Sequence, residues 1–277
     1  RSVAIPHDWS VELPFSPNYS SGTGYLAGGT AWYRHRFFLP EEWSGKRIRL
    51  VFDGVYKNSQ VWCNSYYLGE RPNGYISFTY DITHAFKYDA ENIIAVYVDH
   101  RDIADSRWFT GSGITRKVTL HVEEAIHPVP NGIFFSTPQV SDAEASVRVE
   151  NEIVNTTDTT QPVTVTNYLL DDHKNIVVKT TGTATIAAGA TACITTEGIL
   201  CNPALWSPAQ PNLYTLQTCI LTEDSAEEYI VDSTTVGIRS ISFTPDEGFF
   251  LNGQSTILKG VCVHHDAGCL GAAVHPA

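Results

Sequence analysis

Apolar and polar residues alternate along most of this 277-residue chain, and a two-residue period suits a strand with one face in a core and one in water. Ala31-Trp32-Tyr33-Arg34-His35-Arg36-Phe37-Phe38-Leu39 alternates into Pro40. Residues 47–52, 59–63, 92–98 and 117–122 read as further short strands rich in Val, Ile, Tyr and Trp. Turn clusters separate them at 20–24, Asp53-Gly54, Pro72-Asn73-Gly74 and Gly111-Ser112-Gly113. The one helical turn before residue 125 is Pro40-Glu41-Glu42-Trp43, which Pro opens as at a first helical position. Many short strands, few helices and regular turns predict an all-β chain of antiparallel sandwiches or barrels.

Texture divides the chain into three. Ala125-Ile126-His127-Pro128-Val129-Pro130-Asn131-Gly132 follows an apparent terminal strand and reads as a linker. The next stretch is Thr-rich and aromatic-poor, with strands expected at 145–151, 162–170, 175–179, 192–196, 214–221 and 233–238. That density matches an immunoglobulin-like sandwich without the Cys…Trp…Cys spacing of an antibody domain. Phe249-Phe250-Leu251-Asn252-Gly253-Gln254 reads as a hairpin on an Asn-Gly turn. Ile257-Leu258-Lys259-Gly260-Val261-Cys262-Val263 is almost wholly apolar, as a strand buried on both faces would be. Polar His264-His265-Asp266 follows it, where an α/β barrel keeps its chemistry. A complete barrel takes about 250 residues, so residues 239–277 can hold only its start. The expected domains are 1–125, 126–238 and the truncated barrel at 239–277.

Composition narrows the partners. A formal net charge of −12 argues against nucleic acid, which needs clustered Lys and Arg. The densest basic run, Lys46-Arg47-Ile48-Arg49, alternates like a strand with a solvated face. No apolar run approaches the roughly 18 residues of a membrane span. No leader precedes Arg1-Ser2-Val3, which suits a trimmed N-terminus as well as a cytoplasmic protein, so the compartment stays open between cytoplasmic and periplasmic or secreted. Six scattered cysteines form no C-x-x-C pair and read as buried free thiols. The Gly-rich segment 22–29 lacks the Lys and helix of a phosphate loop. Adjacent pairs Glu41-Glu42, Glu123-Glu124 and Glu227-Glu228 would point to opposite faces of a strand and read as solvated charges.

The order of several motifs adds a family. Ile5-Pro6-His7-Asp8-Trp9 comes first, then Val51-Phe52-Asp53-Gly54-Val55 with Val61-Trp62-Cys63-Asn64, Phe78-Thr79-Tyr80-Asp81, and Ser106-Arg107-Trp108 before Gly111-Ser112-Gly113-Ile114. Leu205-Trp206-Ser207-Pro208, Val236-Gly237-Ile238-Arg239 and Leu258-Lys259-Gly260-Val261 before His264 complete the series. The chain thereby resembles the N-terminal part of a glycoside hydrolase of family 2, most closely the bacterial β-galactosidases. The resemblance implies a sugar-binding jelly roll, an immunoglobulin-like sandwich and the start of a catalytic (β/α)8 barrel.

It also implies retaining hydrolysis of terminal β-D-galactosides by two barrel glutamates about 5–5.5 Å apart. Both would lie beyond residue 277, so the chain alone is expected to be inactive, with no catalytic residue of its own. β-Glucuronidase and β-mannosidase are sister alternatives, and a non-catalytic carbohydrate-binding or assembly module is another class. His264 aligns with the first histidine of the family's strand-one signature and would hydrogen-bond a sugar hydroxyl, or else pack. His265-Asp266 stands where Glu-His is common, so no metal is expected there; no cofactor is expected in this chain, while a divalent or monovalent cation stays open for the full enzyme. Asp8 would orient a sugar, with Trp9 stacking on it, or would cap a turn with Trp9 in the core. Asp105, Arg107 and Trp108, in a loop with Asp99 and Asp102, offer an acceptor, a donor fork and an aromatic face. The expected partner is a β-galactoside, and the sandwiches could also carry a homo-oligomer.

Overall fold

The structure is a computed structural model; it describes all residues except 89, 102–105, 263, 265 and 274–277. Among the described residues strands dominate and helices are confined to short 3-10 turns, and the chain divides into two compact units, Arg1–Val122 with Val261–Ala277 and Glu123–Gly260.

The first unit holds β1 (Gly29–Phe37), β2 (Arg47–Phe52), β3 (Ser59–Cys63), β4 (Tyr66–Arg71), β5 (Phe78–Asp81), β6 (Asn92–His100) and β7 (Val118–Glu123). They form an antiparallel sheet in the order β1-β6-β3-β4 and another in the order β5-β2-β7. Alternation is clean where it was expected: Ile48, Leu50 and Phe52 of β2 and Ile94, Val96 and Val98 of β6 enter one core with Val61 and Cys63. Arg47 turns out of β2 and pairs with Asp81 at 2.7 Å. β4 has no alternation to read, because it is a sheet-edge strand with a register irregularity opposite Val61 and Trp62.

The second unit holds β8 (Ile126–Ser136), β9 (Glu144–Asn155), β10 (Gln161–Leu170), β11 (Ile176–Ile186), β12 (Thr191–Cys201), β13 (Tyr214–Thr222) and β14 (Tyr229–Val236). Its sheets run β11-β10-β13-β14 and β12-β9-β8, a sandwich of four strands on three. The Pro-rich stretch expected as a linker is instead part of β8. Pro130, Asn131 (φ +59°) and Gly132 fall in a register break between Pro128 and Ile133, on the edge strand where missing donors cost least. Two apolar clusters, one around Val147, Leu169 and Leu216 and one around Ile153, Val165 and Ile220, fill the interior. The sandwich also buries a polar relay. Thr218 donates to Asn167 Oδ1 (2.7 Å), Asn167 Nδ2 donates to Thr196 Oγ1 (3.0 Å), and Thr180 Oγ1 donates to the same oxygen (2.8 Å). All four residues are at most 5% exposed, so each polar group is satisfied by another.

A small meander follows: β15 (Ile241–Thr244), β16 (Gly248–Leu251) and β17 (Gln254–Ser255). Asn252 and Gly253 both have positive φ, as a two-residue hairpin turn of the favoured hand requires. The Asn252 side chain accepts from Ser240 N and donates to Trp206 O, while Arg239 lies 5.2 Å over the Trp206 ring. The Trp206 and Arg239 motifs are therefore joined as one structural corner.

Beyond β17 the expected barrel strand is absent among the described residues of 257–263. Ile257, Leu258 and Val261 are 82%, 69% and 85% exposed. A parallel strand is held by neighbours on both sides, and none lies beside this segment among the described residues. Two other expectations need correction. Only Cys63 and Cys219 are buried, the other four thiols being exposed and unpaired. Glu123 is no solvated charge, since it packs against His127 at 3.4 Å.

Candidate functional site

The motif residues of the first unit converge on the loop between β6 and β7. Gly113 exchanges two backbone hydrogen bonds with Tyr56, while His7 N donates to Ile114 O and Trp9 N to Ser112 O. The 112–114 segment is thus held from both sides. A Cβ on Gly113 would meet Tyr33 Oη at 2.3 Å and the His7 carbonyl at 2.7 Å, at a φ of +126°. Only glycine fits there.

Asp8 is 3% exposed. Its Oδ1 accepts from Ser10 N and Ser112 N (both 2.9 Å), and its Oδ2 accepts from Ala272 N (3.0 Å). The first of these closes an Asx turn, and Trp9 lies in the core with Nε1 donating to Gly28 O. Of the two roles open to this pair, the geometry displays the turn cap and the core ring. Beside them Ser10 Oγ donates to Ser112 Oγ (2.6 Å), which lies 2.8 Å from His100 Nδ1. Asp, Ser and His gather here, yet the carboxylate serves backbone groups rather than the imidazole, so no nucleophile relay is formed.

The structure brings Trp108 and His264 together, their rings 6.1 Å apart in an edge-to-face arrangement. Trp108 Nε1 donates to Tyr75 Oη (3.0 Å), and Tyr75 in turn lies edge-on to Tyr56 at 5.3 Å. Trp108 is still 40% exposed. Arg107 is exposed beside it, and Asp105, like Asp102 and His265, lies outside the described residues. Asp99 is spent on its own neighbour: hydrogen bonds from the Arg101 guanidinium hold its carboxyl below the usual range.

A cavity of about 280 Å³ adjoins these rings, lined by Tyr56, Tyr75, Asp53, Thr110, Arg116 and Lys117 among others. Tyr75 directly follows the Pro72-Asn73-Gly74 turn cluster. Asn73 Oδ1 closes that turn by accepting from Tyr75 N and Ile76 N, and a Cβ added to Gly74 would lie 2.2 Å from the Tyr56 ring, so glycine is what permits the approach. A glycine between an Asx residue and a tyrosine is the local signal for that approach. The cavity offers two aromatic rings, hydroxyls, a carboxylate and two cations. Among the described residues no three His, Cys, Asp or Glu side chains converge as a metal would require, and Asp266 accepts from Gly268 N in its own turn.

Comparison with known proteins agrees across the chain. Residues 3–123 match the family model "Glycosyl hydrolases family 2, sugar binding domain", and residues 132–239 match "Glycosyl hydrolases family 2". A β-galactosidase of Bacteroides ovatus, BoGH2A, is 41% identical over 99% of this chain, which spans 32% of that relative. A protein of Formosa agariphila described as a putative β-glucuronidase is 36% identical over 97% of the chain and 25% of its own length. Among solved structures, a family 2 member from Bacteroides cellulosilyticus superposes with a TM-score of 0.93 at 34% identity, covering 99% of this chain and 36% of that one. The chain thus spans about a third of the length of the relatives it matches. Its two sandwiches, in that order and with the Trp108 and His264 motifs on the first unit, belong to glycoside hydrolase family 2.

Proposed function

We infer that this chain is the N-terminal part of a retaining β-glycosidase that removes terminal β-D-galactosyl groups. The observation that carries the reading is the 41% identity to a β-galactosidase along 99% of the chain. In this reading 239–277 begins the catalytic barrel, and two later glutamates supply acid/base and nucleophile. Trp108 offers a face for the apolar side of galactose, and His264, held edge-on to it, offers ring nitrogens to a hydroxyl. Asp105 and Arg107 shortly precede Trp108 in sequence and would complete the polar contacts. Asp8 serves by fixing the 112–114 segment rather than by touching sugar.

β-Glucuronidase is the second reading. Relatives so named reach 36% identity, and Arg116 and Lys117 beside the cavity would give a uronic carboxylate charge-assisted donors. The test compares the full-length polypeptide with this 277-residue chain on an aryl β-galactoside. Turnover by the former and none by the latter is expected; turnover by the 277-residue chain would overturn the assignment of the catalytic pair to the later barrel.

A further inference from the structure

Each oxygen of the Asp8 carboxylate holds a different part of the chain. Oδ1 accepts from Ser112 N (2.9 Å), four residues after Trp108, and Oδ2 accepts from Ala272 N (3.0 Å), eight residues after His264. One buried carboxylate thus ties together the two segments that carry the facing rings. Backbone presses on it from both flanks. A Cβ on Gly271 (φ +60°) would lie 2.3 Å from Asp8 Oδ2, and one on Gly111 (φ +71°) would lie 2.6 Å from the same oxygen. Glycine at both positions is what permits that approach.

The segment after His264 is a compact turn. Asp266 Oδ1 accepts from Gly268 N (2.9 Å), Ala267 N donates to Gly271 O (2.8 Å), and Ala273 N donates to Leu270 O (3.2 Å). Ala272 and Ala273 are buried, whereas Ile257, Leu258 and Val261 upstream stand in solvent. Among the described residues the His264 side chain makes no hydrogen bond of its own. Its place beside Trp108 is therefore set from the downstream side, by the turn and the carboxylate that seats it.

We propose that Asp8 is a positioning residue of the candidate site: by latching the 266–273 turn to the first unit, it holds His264 edge-on to Trp108. The proposal rests on the reading of those two rings as sugar contacts. A carboxylate suits the task because its two oxygens accept from N–H groups that approach from different directions, and its charge strengthens each bond. Asp8 is 3% exposed, with Ser10 N, Ser112 N and Ala272 N on its oxygens, so burial closes it to a sugar hydroxyl.

The test uses the full-length polypeptide and reads two quantities together. One is the kinetics on an aryl β-galactoside and its β-glucuronide counterpart, and the other is amide hydrogen exchange in a peptide spanning 264–273. Asp8→Asn keeps one oxygen for Ser10 N and Ser112 N but turns an amide donor toward Ala272 N. Gly271→Ala opens the latch from the other side, with Asp8 intact. Each should raise KM about tenfold with kcat within about twofold, as when ground and transition state lose the same contact. Each should also speed exchange about tenfold or more. Thr196→Val, which loosens the second sandwich, should change neither, so lower stability alone does not move them. The proposal is overturned if KM or exchange stays at the wild-type value in both latch variants, or if Thr196→Val raises KM as much. A KM change in Asp8→Asn with exchange unaltered would make Asp8 a direct sugar contact and also overturn it. An inactive wild type would sink the glycosidase reading, while faster exchange in the two variants would still support the latch.

Discussion

Asp8 gathers backbone N–H groups from Ser10, Ser112 and Ala272, three points far apart in sequence. Replacing a buried carboxylate that accepts three such bonds strands its donors, each at a cost of about 1–3 kcal/mol. Asp8→Ala should therefore destabilise the first unit by about 3 kcal/mol, read by urea denaturation; a loss below about 1 kcal/mol would show that water replaces the carboxylate. His7 gives a pH dependence. Burial, then the Arg1 guanidinium, lower its pKa from 6.5, against the opposing charge of Asp8. The unfolded chain binds the proton more tightly, so His7 lowers stability as pH falls through 6.5 toward its native value. His7→Gln should flatten the stability–pH slope below pH 6.5, and an unchanged slope would reject that assignment. The turn cap of Asp8 was one of two roles open from the sequence, but its bonds to Ser112 and Ala272 were not legible, because those partners lie 104 and 264 positions away.

At the level of elements, legibility followed exposure. β2 and β3 could be read to the residue because each buries every second side chain. β4 has two neighbouring exposed tyrosines and no alternation, so nothing local distinguishes it. β8 carries Pro-Asn-Gly inside a strand, and those residues signal a turn unless an edge bulge absorbs them. The Thr-rich texture of the second unit now has a physical account in the relay through Thr196. Removing its hydroxyl leaves Asn167 Nδ2 and Thr180 Oγ1 without their acceptor. Thr196→Val should cost about 2 kcal/mol, whereas Thr195→Val, exposed on the same strand, should stay within about 0.5 kcal/mol. Equal effects in thermal or chemical denaturation would mean the relay contributes nothing.

For the molecule as a whole, the family order of two sandwiches was readable from motif order, while the apolar 257–263 run was not a strand in the described chain. Its pattern states a requirement for burial on both faces, and the partners that would meet it are not among the described residues. The site was legible in part. Trp108 and His264 were singled out and do meet, whereas Tyr56, Tyr75 and Arg116 became visible only when the 74–75 turn was folded against Tyr56 and the loop between β6 and β7. Specificity is the claim on which the functional account turns, and the ratio of kcat/KM for an aryl β-galactoside to that for the matching β-glucuronide, measured on the full-length polypeptide, tests it most directly. The account predicts a ratio above about 100, well within the roughly 10⁴ that a site built on hydrogen bonds can supply; a ratio below one would contradict it.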